Sequence, residues 1–171
     1  MWPAELRWAV SAVWMEDGPA RELVHALKYS AWRIAAVPMA ETISRAHGGR
    51  LSQVDCLVPV PLGRSRQRRR GHNQAATLAG ALGSVSGARV LVDALRRTRE
   101  TRSQTTLGPS GRWANVAGAF AGAADLSGAR VALVDDVLTT GATLAACAAA
   151  LSASGAEEVG AITFARASVP S

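Results

Sequence analysis

The chain has 171 residues, of which 49% are hydrophobic and 19% charged. That is enough for one domain with a sizeable core and too apolar for a disordered tail. No apolar run approaches the roughly 20 residues of a membrane-spanning helix. The N-terminal MWPAELRWAV shows no secretory signal, and Cys56 and Cys147 form no CxxC pair. The expected setting is therefore the reducing cytoplasm. The net charge of +6 is concentrated, with five arginines in Arg64–Arg70 and four in Arg96–Arg102. Such clustering suits a local anion site or a nucleic-acid patch.

In chain order, Trp8–Trp14 reads as a strand with both tryptophans on one face. Pro19–Tyr29 reads as a helix, with Pro19 in its first turn and a stripe of Leu23, Ala26 and Leu27. A second helix is expected over Ile34–His47, stopped by Gly48 and Gly49. Val54–Val60 is a short, nearly unbroken apolar run of the kind buried on both faces of a parallel sheet. An arginine-rich loop follows, then a helix over Gln74–Leu82 preceded by Asn73 and ended by Gly83. Arg89–Leu95 is strand-like, and Arg96–Asn115 reads as a long polar loop, a length that is usually functional or disordered.

The most regular unit comes last. Arg130–Val134 reads as a buried strand, Asp135–Gly141 as a turn, Ala142–Leu151 as an alanine-rich helix, and Val159–Phe164 as the next strand. Alternation of this kind predicts an α/β fold in three layers, a mostly parallel sheet flanked by helices. Residues 1–50 are expected to form a small hood-like segment and residues 51–171 the core of a single compact domain.

The turn Asp135-Asp136-Val-Leu-Thr139-Thr140-Gly141-Ala142-Thr143 has a chemistry that can be read from its residue types. A strand delivers two acids to the carboxyl edge of the sheet, where ligands of open α/β sheets bind. Three threonines, a glycine and a helix N-terminus then offer hydroxyls and free amides to a phosphate dianion. The acids would repel that phosphate, but they suit the 2- and 3-hydroxyls of a ribose. The plain alternative is a threonine-capped helix after a strand, which needs neither paired acids nor three threonines.

This segment resembles the phosphoribosyl-pyrophosphate (PRPP) motif of type I phosphoribosyltransferases. Within them, Leu57-Val-Pro-Val-Pro61-Leu62, the arginine run, Arg70-Gly71-His72-Asn73-Gln74, Gln104, Arg112, Asn115, Gly118-Ala119-Phe120 and Ala26-Leu27-Lys28-Tyr29 are similar to the ComF group, over roughly residues 14–167. The sequence departs from that group in two respects. It lacks the cysteine-bearing zinc module that begins many members, and it has His72 where an aromatic residue is common.

The resemblance implies transfer of a 5-phosphoribosyl group to a nitrogen nucleophile with loss of pyrophosphate. Asp135 and Asp136 would hold the ribose, and Thr139, Thr140, Gly141, Ala142 and Thr143 the 5-phosphate. Leu62, Gly63 and Arg64 would form the pyrophosphate loop, supported by Arg70 and Asn73. Arg99, Gln104 and Arg112 would reach over from a lid that keeps water from an oxocarbenium-like sugar. Mg²⁺ would be bound mainly by PRPP, with no direct protein ligand. The competence link of the group implies two other readings, a DNA-uptake accessory with little catalysis and a PRPP-sensing regulator. The expected partners are thus PRPP, an unidentified acceptor, single-stranded DNA or the competence machinery, and a second copy of the chain. Each arginine taken singly is also compatible with a solvated surface. Lys28, the one lysine, is read as a surface residue with phosphate binding as its alternative, His25, His47 and His72 as ordinary surface or core residues, and Cys147 as packing. The tryptophans, four of them near the N-terminus, suit packing better than base stacking.

Overall fold

The computed structural model describes residues 3–16, 18–29, 32–101 and 109–167. Five strands form a parallel sheet in the order β1-β7-β6-β2-β3: β1 (Trp8–Trp14), β2 (Cys56–Pro59), β3 (Arg89–Val90), β6 (Arg130–Leu138) and β7 (Glu158–Arg166). The central strands β2, β6 and β7 are buried along nearly all their length, as expected for a parallel sheet covered on both faces.

Period-2 alternation divides their side chains between two cores. Leu57, Ala132, Val134, Ile162 and Phe164 meet α1 (Gly18–Tyr29), α2 (Trp32–Leu51) and α4 (Gln74–Ser86) through Leu27, Met39, Ile43, Leu78 and Leu82. Val58, Val131, Leu133 and Ala161 meet α6 (Ala142–Ser152) through Leu144, Cys147, Ala148 and Leu151. An antiparallel pair, β4 (Leu95–Arg97) and β5 (Phe120–Gly122), and the short α5 (Pro109–Val116) lie on the α6 side. The result is the expected three-layer α/β architecture.

The N-terminal strand pairs in parallel with the C-terminal one, Trp8 opposite Gly160 and Trp14 opposite Arg166. The first residues of the chain therefore form an edge of the main sheet, and α1 and α2 pack on each other and on α4.

Several local expectations change. α2 runs through Gly48 and Gly49 to Leu51, with its backbone break at His47 (φ −135°). Gly83 lies inside α4, buried against Val90, and the helix ends at Gly87 (φ 76°) instead. The arginine run is a helix, α3 (Arg64–Arg70). Arginine is a good helix former, but a segment with no apolar residue shows no period to read. Arg89–Leu95 divides into two short strands that belong to different sheets. Strand β6 continues through both acids to Leu138, which shortens the turn to Thr139–Gly141. Among the described residues, no helix is long and apolar enough to cross a membrane.

Candidate functional site

Three segments converge at the carboxyl edge of the sheet: the end of β6 with the N-terminus of α6, the loop after β2, and the last turn of α1. Gly141 is the residue before α6 and has φ 77°, a left-handed conformation open to glycine at little cost. No side chain caps the helix in the usual way; Thr140 Oγ1 only approaches the Ala142 amide, at 3.5 Å. Asp135, Thr139, Gly141, Ala142 and Thr143 line one hollow of about 60 Å³. Since a water's share of liquid volume is about 30 Å³, the hollow has room for a compact oxyanion. A larger hollow, about 390 Å³, lies beside Arg7, Arg130 and Glu158 at the amino ends of β6 and β7. That is the edge at which ligands of parallel sheets do not bind.

The two acids have different surroundings. Asp136 is 5% exposed, and its Oδ2 lies 2.8 Å from Nζ of Lys28. Burial works to raise the Asp136 pKa, but the Lys28 charge outweighs it and holds this carboxyl below its ordinary value. Asp135 borders the hollow and is raised well above the carboxylate range, by burial first and by the charge of Asp136 second. The repulsion between paired acids and a phosphate is thereby relieved. The acid beside the hollow is biased toward its neutral form, and the other is paired with a lysine.

This difference gives a stability prediction. A carboxyl whose pKa rises on folding contributes its stability below its unfolded pKa, about 3.9, and loses it as pH climbs through the folded value. The lowered Asp136 acts only below that window. Asp135→Asn is thus expected to gain thermal stability relative to the unsubstituted protein as pH increases from about 4 to 8. Melting curves across that range check it, and a pH-independent difference would show that Asp135 is charged in the fold.

Around β2, Leu62 is partly buried and Gly63 precedes α3 in extended conformation. Glu100 reaches this loop from beyond β4 and accepts from the Ser65 amide (3.4 Å) and hydroxyl (3.0 Å). It lies so close to Gly63 that a Cβ there would meet Glu100 Oε2 at 2.9 Å. Against the cost of desolvation, hydrogen bonds from Ser65 and from the Arg64 amide hold the Glu100 carboxyl below its ordinary value. Arg64 is exposed.

Arg70 lies over the Tyr29 ring (5.1 Å) and donates to Gln74 (3.0 Å). Asn73 caps α4 by accepting from the Ala75 amide and ties it to β2 by donating to the Val60 carbonyl, both at 3.0 Å. His72 is within 2.8 Å of the Leu27 carbonyl through Nε2, so it links the end of α1 to this loop.

The lid residues are placed less fully. Arg99 donates to the Ala117 carbonyl (2.7 Å). Gln104 and the side chain of Arg112 lie outside the described residues. Sequence reasoning singles out Lys28 as the chain's one lysine but favours a surface role for it, and it passes over Glu100. It also passes over Arg97, which is partly buried over the Phe120 ring (5.2 Å) and bonded to Thr101. Cys147 is fully buried in α6, and burial pushes its thiol well above the ordinary range, which fits packing rather than chemistry.

Comparison with known proteins adds a family to this geometry. Residues 35–169 match the phosphoribosyl transferase domain. The chain is 33% identical over 146 residues to the DNA utilization protein YhgH of Escherichia coli, covering 82% of this chain and 64% of that protein. The YhgH of Salmonella typhimurium matches at the same identity and coverage. Competence protein F of Haemophilus influenzae is 38% identical over 108 residues, 61% of this chain and 47% of that protein. The chain thus spans less than two thirds of the length of these relatives.

Proposed function

The chain belongs to the phosphoribosyltransferase domain family, in its ComF group, and from that membership we propose that it binds PRPP and transfers the phosphoribosyl group to a nitrogen nucleophile. The observation that supports this most is the hollow at the end of β6. It joins an uncapped helix N-terminus, a left-handed glycine and an acid whose neighbour is paired with a lysine.

In this reading the 5-phosphate meets the amides and hydroxyls of Thr139–Thr143, where charge-assisted hydrogen bonds contribute roughly 1.5–3 kcal/mol each. The acids take the ribose hydroxyls. The pyrophosphate lies toward Gly63 and Arg64, where it must displace the Glu100 carboxylate that now occupies the Ser65 donors. The bond from the anomeric carbon to pyrophosphate breaks, a bond from that carbon to the acceptor nitrogen forms, and the nitrogen's proton leaves to solvent. The chain contributes position and charge stabilisation rather than an acid–base pair.

Among the described residues, no three His, Cys, Asp or Glu side chains cluster as a metal site. One of the two acids at the edge is already engaged by Lys28. In this reading the metal enters as part of Mg²⁺–PRPP, the substrate.

Thermal unfolding with and without Mg²⁺–PRPP tests the reading. PRPP should raise the melting temperature, and Asp135→Asn combined with Asp136→Asn should remove the rise; no rise with the unsubstituted protein would refute it. The exposed arginines of α3 and the names of the relatives favour a second reading, a DNA-handling accessory. Single-strand affinity would then fall steeply with salt and survive the acid substitutions.

A further inference from the structure

Of the nineteen basic residues in this chain, eighteen are arginine and one, Lys28, is lysine. Wherever a cation is exposed on the surface, the sequence uses arginine. The single amine is only 24% exposed, and it is the cation that touches the buried acid at the sheet edge. The two side chains share a charge and differ in shape. An ammonium is a compact point charge on a flexible stem, whereas a guanidinium is a broad planar fork with five donors.

The surroundings hold this amine in place. Leu27, the preceding residue, is fully buried, and its carbonyl is met by His72 at 2.8 Å. Tyr29, the following residue, is stacked on Arg70. Three consecutive residues at the end of α1 are thus tied to the end of α3, to the turn after it or to β6.

We propose that Lys28 is a positioning residue of this site: its ammonium holds Asp136 toward α1 and cancels that charge, so that a phosphorylated pentose meets a hollow bordered by one acid rather than two. This rests on the PRPP reading above. Asp135 is the acid that lines the hollow, and Asp136 is the one that Lys28 engages. The two carboxyls are close enough to act on each other, and the Lys28 charge acts on both, but its 2.8 Å contact is with Asp136.

The charged or titratable groups acting at this point come from four elements. They are Asp135 and Asp136 on β6, Lys28 on α1, Cys147 on α6 within electrostatic reach of Asp135, and Arg97 on β4 within electrostatic reach of Cys147. Both the thiol and the Asp135 carboxyl are biased toward their neutral forms by burial. Lys28 is therefore the group that balances Asp136. Without it, the cluster keeps an uncompensated negative charge beside the phosphate hollow unless a proton replaces the ammonium.

Two measurements test this. Protein made with ¹³C-labelled lysine shows one lysine side-chain resonance, that of Lys28. Asp136→Asn should move it, and a resonance identical in both proteins at every pH overturns the ion pair. Calorimetric titration with Mg²⁺–PRPP then reads the consequence. Lys28→Met should weaken binding by about tenfold or more near pH 8, with the loss shrinking toward pH 5.5 as protons take the place of the ammonium. Lys28→Arg should recover much of the affinity and the pH profile, because the charge returns. A loss that is the same at all pH values, or equal in the methionine and arginine variants, would mark a merely structural lysine and overturn the proposal. Should the unsubstituted protein bind no PRPP at all, it is the PRPP reading that fails, and the lysine resonance still decides the ion pair.

Discussion

Gly141→Val should lower PRPP affinity by about 100-fold or more, equivalent to about 2.7 kcal/mol, while leaving a folded protein. Gly141 has φ 77° and ψ 0° directly before α6. A β-branched residue is a steric outlier there, and the left-handed conformation costs an ordinary L-residue roughly 1–2 kcal/mol. The chain then has two options. It can keep the strained turn with a branched side chain in the 60 Å³ hollow that Gly141 lines. Alternatively, it can turn to negative φ and swing the Ala142 and Thr143 amides away from the ligand. Either removes at least two donors, each worth roughly 1.5–3 kcal/mol to a charged partner.

Gly87 provides the control. It has φ 76° at the far end of α4, and a Cβ there would meet nothing within 4 Å. Gly87→Val should carry a similar strain and leave PRPP binding intact. Calorimetric titration of both variants beside their melting curves makes the comparison, and wild-type affinity in Gly141→Val would remove the phosphate from this turn.

Gly160→Ala should destabilise the fold by about 2–4 kcal/mol. Gly160 pairs with Trp8 across β7 and β1, and the indole lies on the bare backbone. A Cβ there would stand 2.0 Å from Trp8 Cε2 and 2.2 Å from Cζ2. The ring must move, and with it the hydrogen bond from Trp8 Nε1 to Glu158 (2.7 Å) and the Arg50 guanidinium over the ring (5.2 Å). At roughly 2–4 °C per kcal/mol for a chain of this size, the melting temperature should fall by several degrees to more than ten. Trp8→Leu in the same background should recover part of the loss, because the two residues share one contact and their effects are not additive. A Gly160→Ala protein as stable as the parent would show that β1 is not seated on β7 in this way.

These two glycines mark different degrees of legibility. Gly141 is readable because a strand, two acids, three threonines and a glycine follow one another without interruption, and the turn, helix start and ligand edge are all local consequences. Gly160 is not, because its reason is an indole about 150 positions away in the chain. Lys28 falls between them. Its rarity is visible in the composition, but its meaning needs the distance to Asp136. The arginine run reads as a loop because apolar periodicity is the signal that marks a helix, and α3 buries none of its residues. Glu100 escapes notice because its contact with Ser65 joins segments that no spacing rule relates.

Local chemistry alone is sufficient for the α/β class, the buried strands β2, β6 and β7, and the glycine turn before α6, since each depends on backbone geometry and side-chain type within a few residues. The seating of β1 beside β7, the raised pKa of Asp135, and the pairing of Lys28 with Asp136 depend on long-range packing. Burial and charge act through space, and the distances that set them exist only once the chain has folded.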